Sequence, residues 1–199
     1  MLMDVDPRTF GGAVNQRREG KRHASVLLIG KVVRADGETA CLIHDISKNG
    51  LMARFTRVPE VGEQIRLNMR GLPEVTATVR WVRGARAGVE FAEPQDLDRV
   101  FCVKDDQGVV ARTPRFDCHV AARMRIGAAT TAVEVVDISP GGMKLRSDMA
   151  VQRGQAGGIL LPGAAVPVYG TICWIRDDRF GFRFATPLPL DELARIIDL

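Results

Sequence analysis

The sequence lacks the features that mark several large classes of protein. Its 199 residues contain no apolar run of 18 or more, the length that a transmembrane helix requires, so we expect no membrane insertion. The first residues, MLMDVDPRTFGG, lack the basic region and apolar core of a signal peptide, and we expect a cytoplasmic protein. Hydrophobic residues still make up 46% and charged residues 26%, enough to bury a core.

Motifs of catalysis and metal binding are also missing. There is no CxxC, HExxH, GxSxG or phosphate-binding loop. The cysteines and histidines are scattered singly along the chain: Cys41, Cys102, Cys118, Cys173, His23, His44 and His119. Because a zinc site needs converging ligands, usually in close pairs, we expect no metal. Because no catalytic motif is present, we also expect no cofactor and no enzymatic activity. The cysteines are interpreted as small buried hydrophobic residues.

Aromatic residues are few, at 6%, and the positive charge is concentrated in one segment. The chain has a net charge of +4, whereas residues 15–34 contain six positive side chains and one negative. A local patch of this kind suits a compact anionic ligand. DNA or RNA would need a longer basic stripe with stacking aromatics, so we expect neither as a partner. In the alternative interpretation, these charged side chains are only exposed to solvent and bind nothing.

The chain contains an internal repeat. DISKNG at 45–50 returns as DISPGG at 137–142, VRWV at 79–82 as ICWI at 172–175, and GVEF at 88–91 as GFRF at 181–184. These anchors keep their order at offsets of 92 or 93 residues, which indicates tandem homologous domains. We expect an N-terminal tail (1–14), domain 1 (15–105), a linker (106–111) and domain 2 (112–199).

Each copy is typical of short strands separated by turn-forming residues. In domain 1 the apolar and β-branched runs are 24–34, 38–47, 50–55, 64–69, 74–83 and 87–92. Within 74–81, Val75, Ala77, Val79 and Trp81 alternate with polar residues, which predicts one buried face. The expected fold class is all-β, with two six-stranded antiparallel barrels. Helices are predicted after each barrel, at 94–104 and 190–198.

Two motifs in domain 1 stand at a specific spacing. Arg18 and Arg22 form an RxxxR sequence before the first strand, and Asp45, Ser47 and Gly50 form a DxSxxG sequence at the end of the second. Together with the VRW and GVEF strings, this order resembles the PilZ domain, and the whole chain resembles two PilZ domains in tandem. The resemblance implies a bacterial receptor for the second messenger cyclic di-GMP, with no chemistry of its own.

The resemblance assigns the arginines to ligand binding, on a flexible segment that wraps over the dinucleotide. A guanidinium fork matches the adjacent O6 and N7 acceptors of guanine and also neutralises phosphate. Arg18 and Arg22 are the candidates for this role. Arg17, directly before the motif, is a candidate third contact, since this position in the family is linked to how many ligand molecules bind.

The DxSxxG residues are assigned to the same site. Asp45 can accept hydrogen bonds from guanine N–H groups, which a phosphate cannot donate, so this residue favours guanine over a bare anion. Ser47 can donate to a phosphate or a base edge, and Gly50 allows a turn and a close approach of ligand. An alternative is open, in which Asp45 and Ser47 only close a hairpin turn. Trp81 is near the site or, as the simpler interpretation, in the core.

The second copy keeps Asp137, Ser139 and Gly142 but not the arginine spacing. Aligning Arg115 with Arg22 puts Ala111 at the position of Arg18. We therefore expect domain 1 to bind cyclic di-GMP and domain 2 mostly not to, leaving domain 2 as a structural, dimerising or docking module.

The leading hypothesis is a cyclic di-GMP effector that acts on an unidentified protein partner in motility, exopolysaccharide production or adhesion. Its alternative is a PilZ-like interaction scaffold that does not bind the ligand. A binder of single-stranded nucleic acid on a small barrel is a third and weaker hypothesis. Homodimerisation is left open.

Overall fold

The structure is a computed structural model that describes residues 27–101 and 111–199. In these residues it contains twelve strands and two short helices. The first half comprises β1 (Leu28–Arg34), β2 (Gly37–Ser47), β3 (Gly50–Phe55), β4 (Gln64–Met69), β5 (Leu72–Arg83), β6 (Arg86–Phe91) and α1 (Asp98–Phe101). The second half comprises β7 (Phe116–Ile126), β8 (Ala129–Ser139), β9 (Gly142–Arg146), β10 (Ala156–Leu160), β11 (Val168–Arg176), β12 (Arg179–Phe184) and α2 (Leu190–Ile197).

Each set of six strands closes into an antiparallel barrel. Barrel 1 has the strand order β1-β2-β3-β6-β5-β4, and β1 pairs with both β2 and β4. Barrel 2 has the order β10-β11-β12-β9-β8-β7 and closes through β7, which pairs with β8 and β10. Closure removes the exposed strand edges that promote aggregation. The predicted fold class is confirmed, although α1 begins later than the predicted helix and covers one turn in the described residues.

Every second residue of the strands faces inwards, and these residues build most of the core. Trp81 is an exception to this alternation. Val75, Ala77 and Val79 on β5 are buried, as predicted. The pairing of β5 with β6 then shifts register between Val79 and Trp81. This irregularity turns Trp81 out of the inward face. The prediction that Trp81 continues the buried face is wrong, because its side chain is half-buried on the outside of the barrel.

Each tryptophan lies across a glycine on the neighbouring strand. A Cβ at Gly88 would lie 2.0 Å from Nε1 of Trp81, and a Cβ at Gly181 would lie 2.0 Å from Nε1 of Trp174. Neither position can accept a side chain while the indole stays in place. The shared geometry explains why both copies of the repeat keep tryptophan and glycine seven residues apart.

The cysteines in the barrels are mostly packing residues. Cys41 and Cys118 are buried and free. Burial raises the pKa of the Cys41 thiol to about 12 and that of Cys118 to about 11. Their interpretation as small hydrophobic residues is confirmed. Cys173 is only half-buried, and Cys102 lies outside the described residues.

The two barrels contact each other through the outer face of β2. Ala40 on β2 belongs to the hydrophobic core of barrel 2, and Ile29 and Leu42 pack against that core. At the edge of this contact, Arg54 donates to the carboxylate of Asp191 at the start of α2, at 2.8 Å. The strand that ends in the DxSxxG motif therefore also forms the contact between the domains.

We expect Gly88→Ala to lower the free energy of unfolding by about 2 kcal/mol, since the new methyl group collides with Trp81. Urea unfolding followed by circular dichroism measures the change. Gly141→Ala is the matched control, because a Cβ there meets nothing within 4 Å. In a Trp81→Ala background the cost of Gly88→Ala should shrink. Equal unfolding midpoints for both glycine variants would contradict the prediction.

Candidate functional site

The described part of the predicted site is the hairpin between β2 and β3. Asp45 and Ser47 are near the end of β2, Gly50 is the first residue of β3, and all three are half-buried. Ser47 Oγ donates to the carbonyl oxygen of Gly50 at 3.1 Å, so the serine helps to close the hairpin. Arg17, Arg18 and Arg22 lie outside the described residues.

Gly50 is required by the packing of the strands. A Cβ at this position would lie 2.2 Å from the carbonyl oxygen of Val89 on β6, closer than any side chain allows. Gly142 has the same relation to Phe182 in barrel 2, at 2.5 Å. The glycine of the DxSxxG motif thus lets β3 and β6 approach each other, a role that the sequence analysis did not identify.

An irregularity in β2 turns Asp45 outwards. The pairing of β2 with β3 shifts register between Ile43 and Asp45. In a regular strand, two residues that are two apart face the same side, so Asp45 would follow Ile43 into the core. Instead Ile43 and Ile46 are the buried pair, at 0% and 2% exposure, and the extra residue His44 reverses the alternation. The carboxylate consequently lies on the outer surface of barrel 1.

Strand pairing places Asp45 at one end of a row that ends at Trp81. Asp45 lies opposite Met52 on β3, Met52 opposite Gly88 on β6, and Gly88 opposite Trp81 on β5. The indole lies over Gly88, and the Arg83 guanidinium is 5.7 Å from the ring centroid of Trp81. The row combines an acceptor group, a flexible apolar side chain and a flat aromatic surface.

Sequence reasoning gave Met52 no role and favoured a core position for Trp81. One feature of the sequence could have indicated that this row faces outwards. The buried residues Ile43 and Ile46 are three apart within a strand, as are Val135 and Ile138 in the second copy. This spacing breaks the period of two and predicts a bulge.

Barrel 2 repeats the hairpin, and two cations of the same barrel pair with its motif carboxylate. Asp137 is displaced outwards by the same register shift, and Ser139 Oγ donates to the carbonyl oxygen of Gly142 at 3.0 Å. Arg115 donates to Oδ1 of Asp137 at 2.5 Å, and Lys144 forms an ion pair with Oδ2. The Asp137 side chain is only 5% exposed. Both of its oxygens are therefore occupied from within the chain.

The strand register places different residues opposite the motif aspartate in the two copies. Lys144 lies opposite Asp137 on β9, just as Met52 lies opposite Asp45 on β3. Arg115 is the residue that the repeat aligns with Arg22. In barrel 2 the arginine that precedes the first strand is held on the motif aspartate by the protein itself.

The same face of barrel 2 contains a second compensated carboxylate. Glu134 lies 2.8 Å from Nδ1 of His119 and accepts a hydrogen bond from Arg146 at 2.9 Å. The hydrogen bond with His119 lowers the pKa of Glu134 below its ordinary value. The outer surface around Asp137 is thus closely charge-balanced by its own residues.

Residues 27–101 and 111–199 contain no group of three or more His, Cys, Asp or Glu side chains that could hold a metal ion. In the same residues no helix is long and apolar enough to cross a membrane.

The PilZ domain family matches the chain twice, at residues 16–100 and 110–199. The protein belongs to the PilZ family and contains two PilZ domains in tandem, as the resemblance of its motifs indicated. No curated protein matches the sequence significantly.

Solved structures of similar proteins show low sequence identity. The PlzA protein of Borreliella burgdorferi in complex with c-di-GMP is 12% identical, with 90% of this chain and 94% of that chain covered and a TM-score of 0.42. The Bacillus subtilis inhibitor of motility (MotI/DgrA) is 11% identical, with coverage of 87% and 94% and a TM-score of 0.36. YcgR of Escherichia coli in complex with c-di-GMP is 14% identical, with coverage of 86% and 82% and a TM-score of 0.32.

We expect Lys144→Met to destabilise the protein by about 2 kcal/mol, since the buried Asp137 carboxylate loses one of its two cations. In an Asp137→Asn background the same change should cost much less. Arg80→Met is the control, because its ion pair with Glu90 is exposed, and such pairs contribute at most about 1 kcal/mol. Thermal unfolding of the four variants gives the comparison, and equal losses for Lys144→Met in both backgrounds would contradict it.

Proposed function

We propose that the protein is a non-enzymatic, cytoplasmic receptor for cyclic di-GMP, and that barrel 1 holds the binding site. The ligand contacts would come from Arg17, Arg18, Arg22, Asp45, Ser47 and Gly50. The observation that supports this most is the outward turn of Asp45 at the end of β2. It presents the carboxylate on the outer surface of a PilZ domain whose sequence also contains RxxxR ahead of β1.

The residues of the row supply complementary chemistry for a guanine. Asp45 can accept hydrogen bonds from the N–H groups of the base, and arginine forks can donate to O6 and N7 or to a phosphate. The Trp81 indole offers a flat surface on which a base or an arginine can stack. Met52 between them has no charge and can adapt its shape to the ligand.

Barrel 2 is proposed to stay empty of ligand. Its motif aspartate is 5% exposed and is already paired with Arg115 and Lys144. A guanine would have to displace both cations from a nearly buried carboxylate before it could donate to that group. Barrel 2 would then serve as a structural or docking module.

Strand β2 offers a route from the ligand to the second domain. Its first part contains Ala40 and Leu42, which contact the core of barrel 2, and its last part contains Asp45 and Ser47. Leu42 and Asp45 are three positions apart, or about 10 Å of strand. Ligand binding at the end of β2 would bias the contact between the barrels and hence the surface offered to a protein partner in motility, exopolysaccharide production or adhesion.

Calorimetric titration of the full chain with cyclic di-GMP tests the proposal. We expect saturable binding, weakened about tenfold to a hundredfold by Arg22→Ala or Asp45→Ala, because each removes a directed contact to the ligand. Asp137→Ala is the matched control in barrel 2 and should leave the titration unchanged. GTP serves as the control ligand.

Absence of binding to folded wild-type protein would reject the receptor and favour the interaction scaffold. A binding event that survives Arg22→Ala but is lost in Asp137→Ala would move the site to barrel 2.

The Met52 position provides a second test of why the two barrels differ. We expect Met52→Lys to weaken cyclic di-GMP binding at least about tenfold, because the new lysine would compete for the Asp45 carboxylate as Lys144 does for Asp137. Met52→Leu keeps the position apolar and should bind like the wild type. If the added positive charge instead tightens binding to the anionic ligand, the explanation for barrel 2 is wrong.

A further inference from the structure

Barrel 2 has an open groove of about 760 Å³ on its outer face, bounded on one side by Arg183, which lies opposite Gly142 of the DxSxxG hairpin. We call it the Tyr169 groove. Strands β7, β10, β11 and β12 contribute to it, and its principal residues are Arg125, Gly158, Pro167, Tyr169, Gly170 and Arg183. None of these residues belongs to the proposed ligand site, and the internal repeat indicates no role for them.

Gly158 on β10, which has no side chain, forms the floor of the groove. Gly158 lies between Arg125 on β7 and Tyr169 on β11 in one cross-strand row. A Cβ at Gly158 would lie 3.1 Å from the Tyr169 ring, so the ring rests against the strand backbone. Even so, 63% of Tyr169 is exposed. The result is a flat, exposed aromatic ring over a strand that has no side chain at this position.

The groove is positively charged. Arg125 and Arg183 are exposed, and in the described part of the chain no carboxylate lies within ion-pair distance of either guanidinium. Arg125 Nε donates to the carbonyl oxygen of Gly127, another lining residue, at 3.1 Å. No Asp or Glu is present among the described lining residues.

Barrel 1 shows that the fold does not require this arrangement. Strand register places Arg66 at the position of Gly158, and Glu90 at the position of Arg183. In barrel 1 the corresponding face is charge-balanced, because Arg66 pairs with Glu74 at 2.8 Å and Arg80 with Glu90 at 2.5 Å. Barrel 2 has replaced a neutral, filled surface with a cationic, open one.

We infer that the Tyr169 groove binds an extended acidic segment of a partner protein, with carboxylates on either side of an apolar side chain. Charge complementarity selects the acidic partner, and exposed Tyr and Arg are the residue types that dominate protein interfaces. Arg125 and Arg183 are three strands apart, which is about 14 Å. An extended chain covers that distance in about four residues.

A single-stranded nucleic acid fits the same surface less well. Successive bases need several stacking side chains and a continuous line of cations. Tyr169 is the one aromatic ring that the described groove exposes, and its arginines stand at two separate positions. The inference concerns barrel 2 alone and holds whether or not barrel 1 binds cyclic di-GMP, so the two proposals can fail separately.

Fluorescence anisotropy with the full chain tests the inference. The probe is a fluorescein-labelled heptapeptide, GDAFADG, with aspartates four residues apart and a central phenylalanine. We expect saturable binding with a Kd below about 1 mM, and no binding of the lysine twin GKAFAKG. Arg183→Glu and Tyr169→Ala should each weaken binding at least about tenfold. Arg66→Glu, on the equivalent face of barrel 1, is the matched control and should bind like the wild type.

Charge reversal separates a direct contact from a loss of folding. If Arg183→Glu keeps the wild-type melting temperature and gains binding of the lysine twin, the contact is direct. The inference is overturned if the acidic peptide does not bind, or if its binding is unchanged in Arg183→Glu. It is also overturned if ten-nucleotide oligo-dT binds through the groove and the peptide does not, or if the chain forms a dimer that Arg183→Glu dissociates.

Discussion

The extra residue at position 44 of β2 decides where the candidate site can be. The core of barrel 1 needs Ile43 and Ile46 inside, and a regular strand cannot bury two residues that are three apart. The bulge resolves this conflict and, in doing so, places Asp45 on the outer side of the strand. The same solution recurs in β8 with Val135, Asp137 and Ile138. An acidic surface position at the end of the strand is therefore a consequence of how the core packs.

Because β2 also faces barrel 2, the site and the domain contact share one rigid element. Ala40 is almost completely buried in the core of the second barrel, at 1% exposure. Close-packed interiors do not deform continuously. A change in the twist of β2 at Asp45 would thus have to be absorbed by the bulge or passed to the contact at Ala40. In the proposed receptor, the bulge therefore decides whether ligand binding at Asp45 is transmitted to the domain contact at Ala40.

The sequence was sufficient to predict the fold and to place Asp45, Ser47 and Gly50 in one hairpin. The repeat and the alternation in 74–81 predict the barrels, since a closed sheet needs little beyond a period of two and well-placed turns. Trp81 was misplaced because the bulge in β5 follows from its pairing with β6, and the alternation in 74–81 gives no sign of it. The contact of Lys144 with Asp137 depends on cross-strand register in the same way. The assignments of all six residues to ligand binding remain predictions: Arg17, Arg18, Arg22, Asp45, Ser47 and Gly50.

The two barrels differ in charge and side-chain size at outward-facing positions of equivalent strands. Met52 and Lys144 occupy one such position, and Arg66 and Gly158 another. An outer residue of a closed barrel can change its charge or size at little cost, because the inward residues alone fill the core. By contrast, Gly88 and Gly181 cannot vary, since an indole covers each. Duplication of this fold therefore leaves a definite set of surface positions free to diverge, and one copy can specialise in a ligand while the other specialises in a partner.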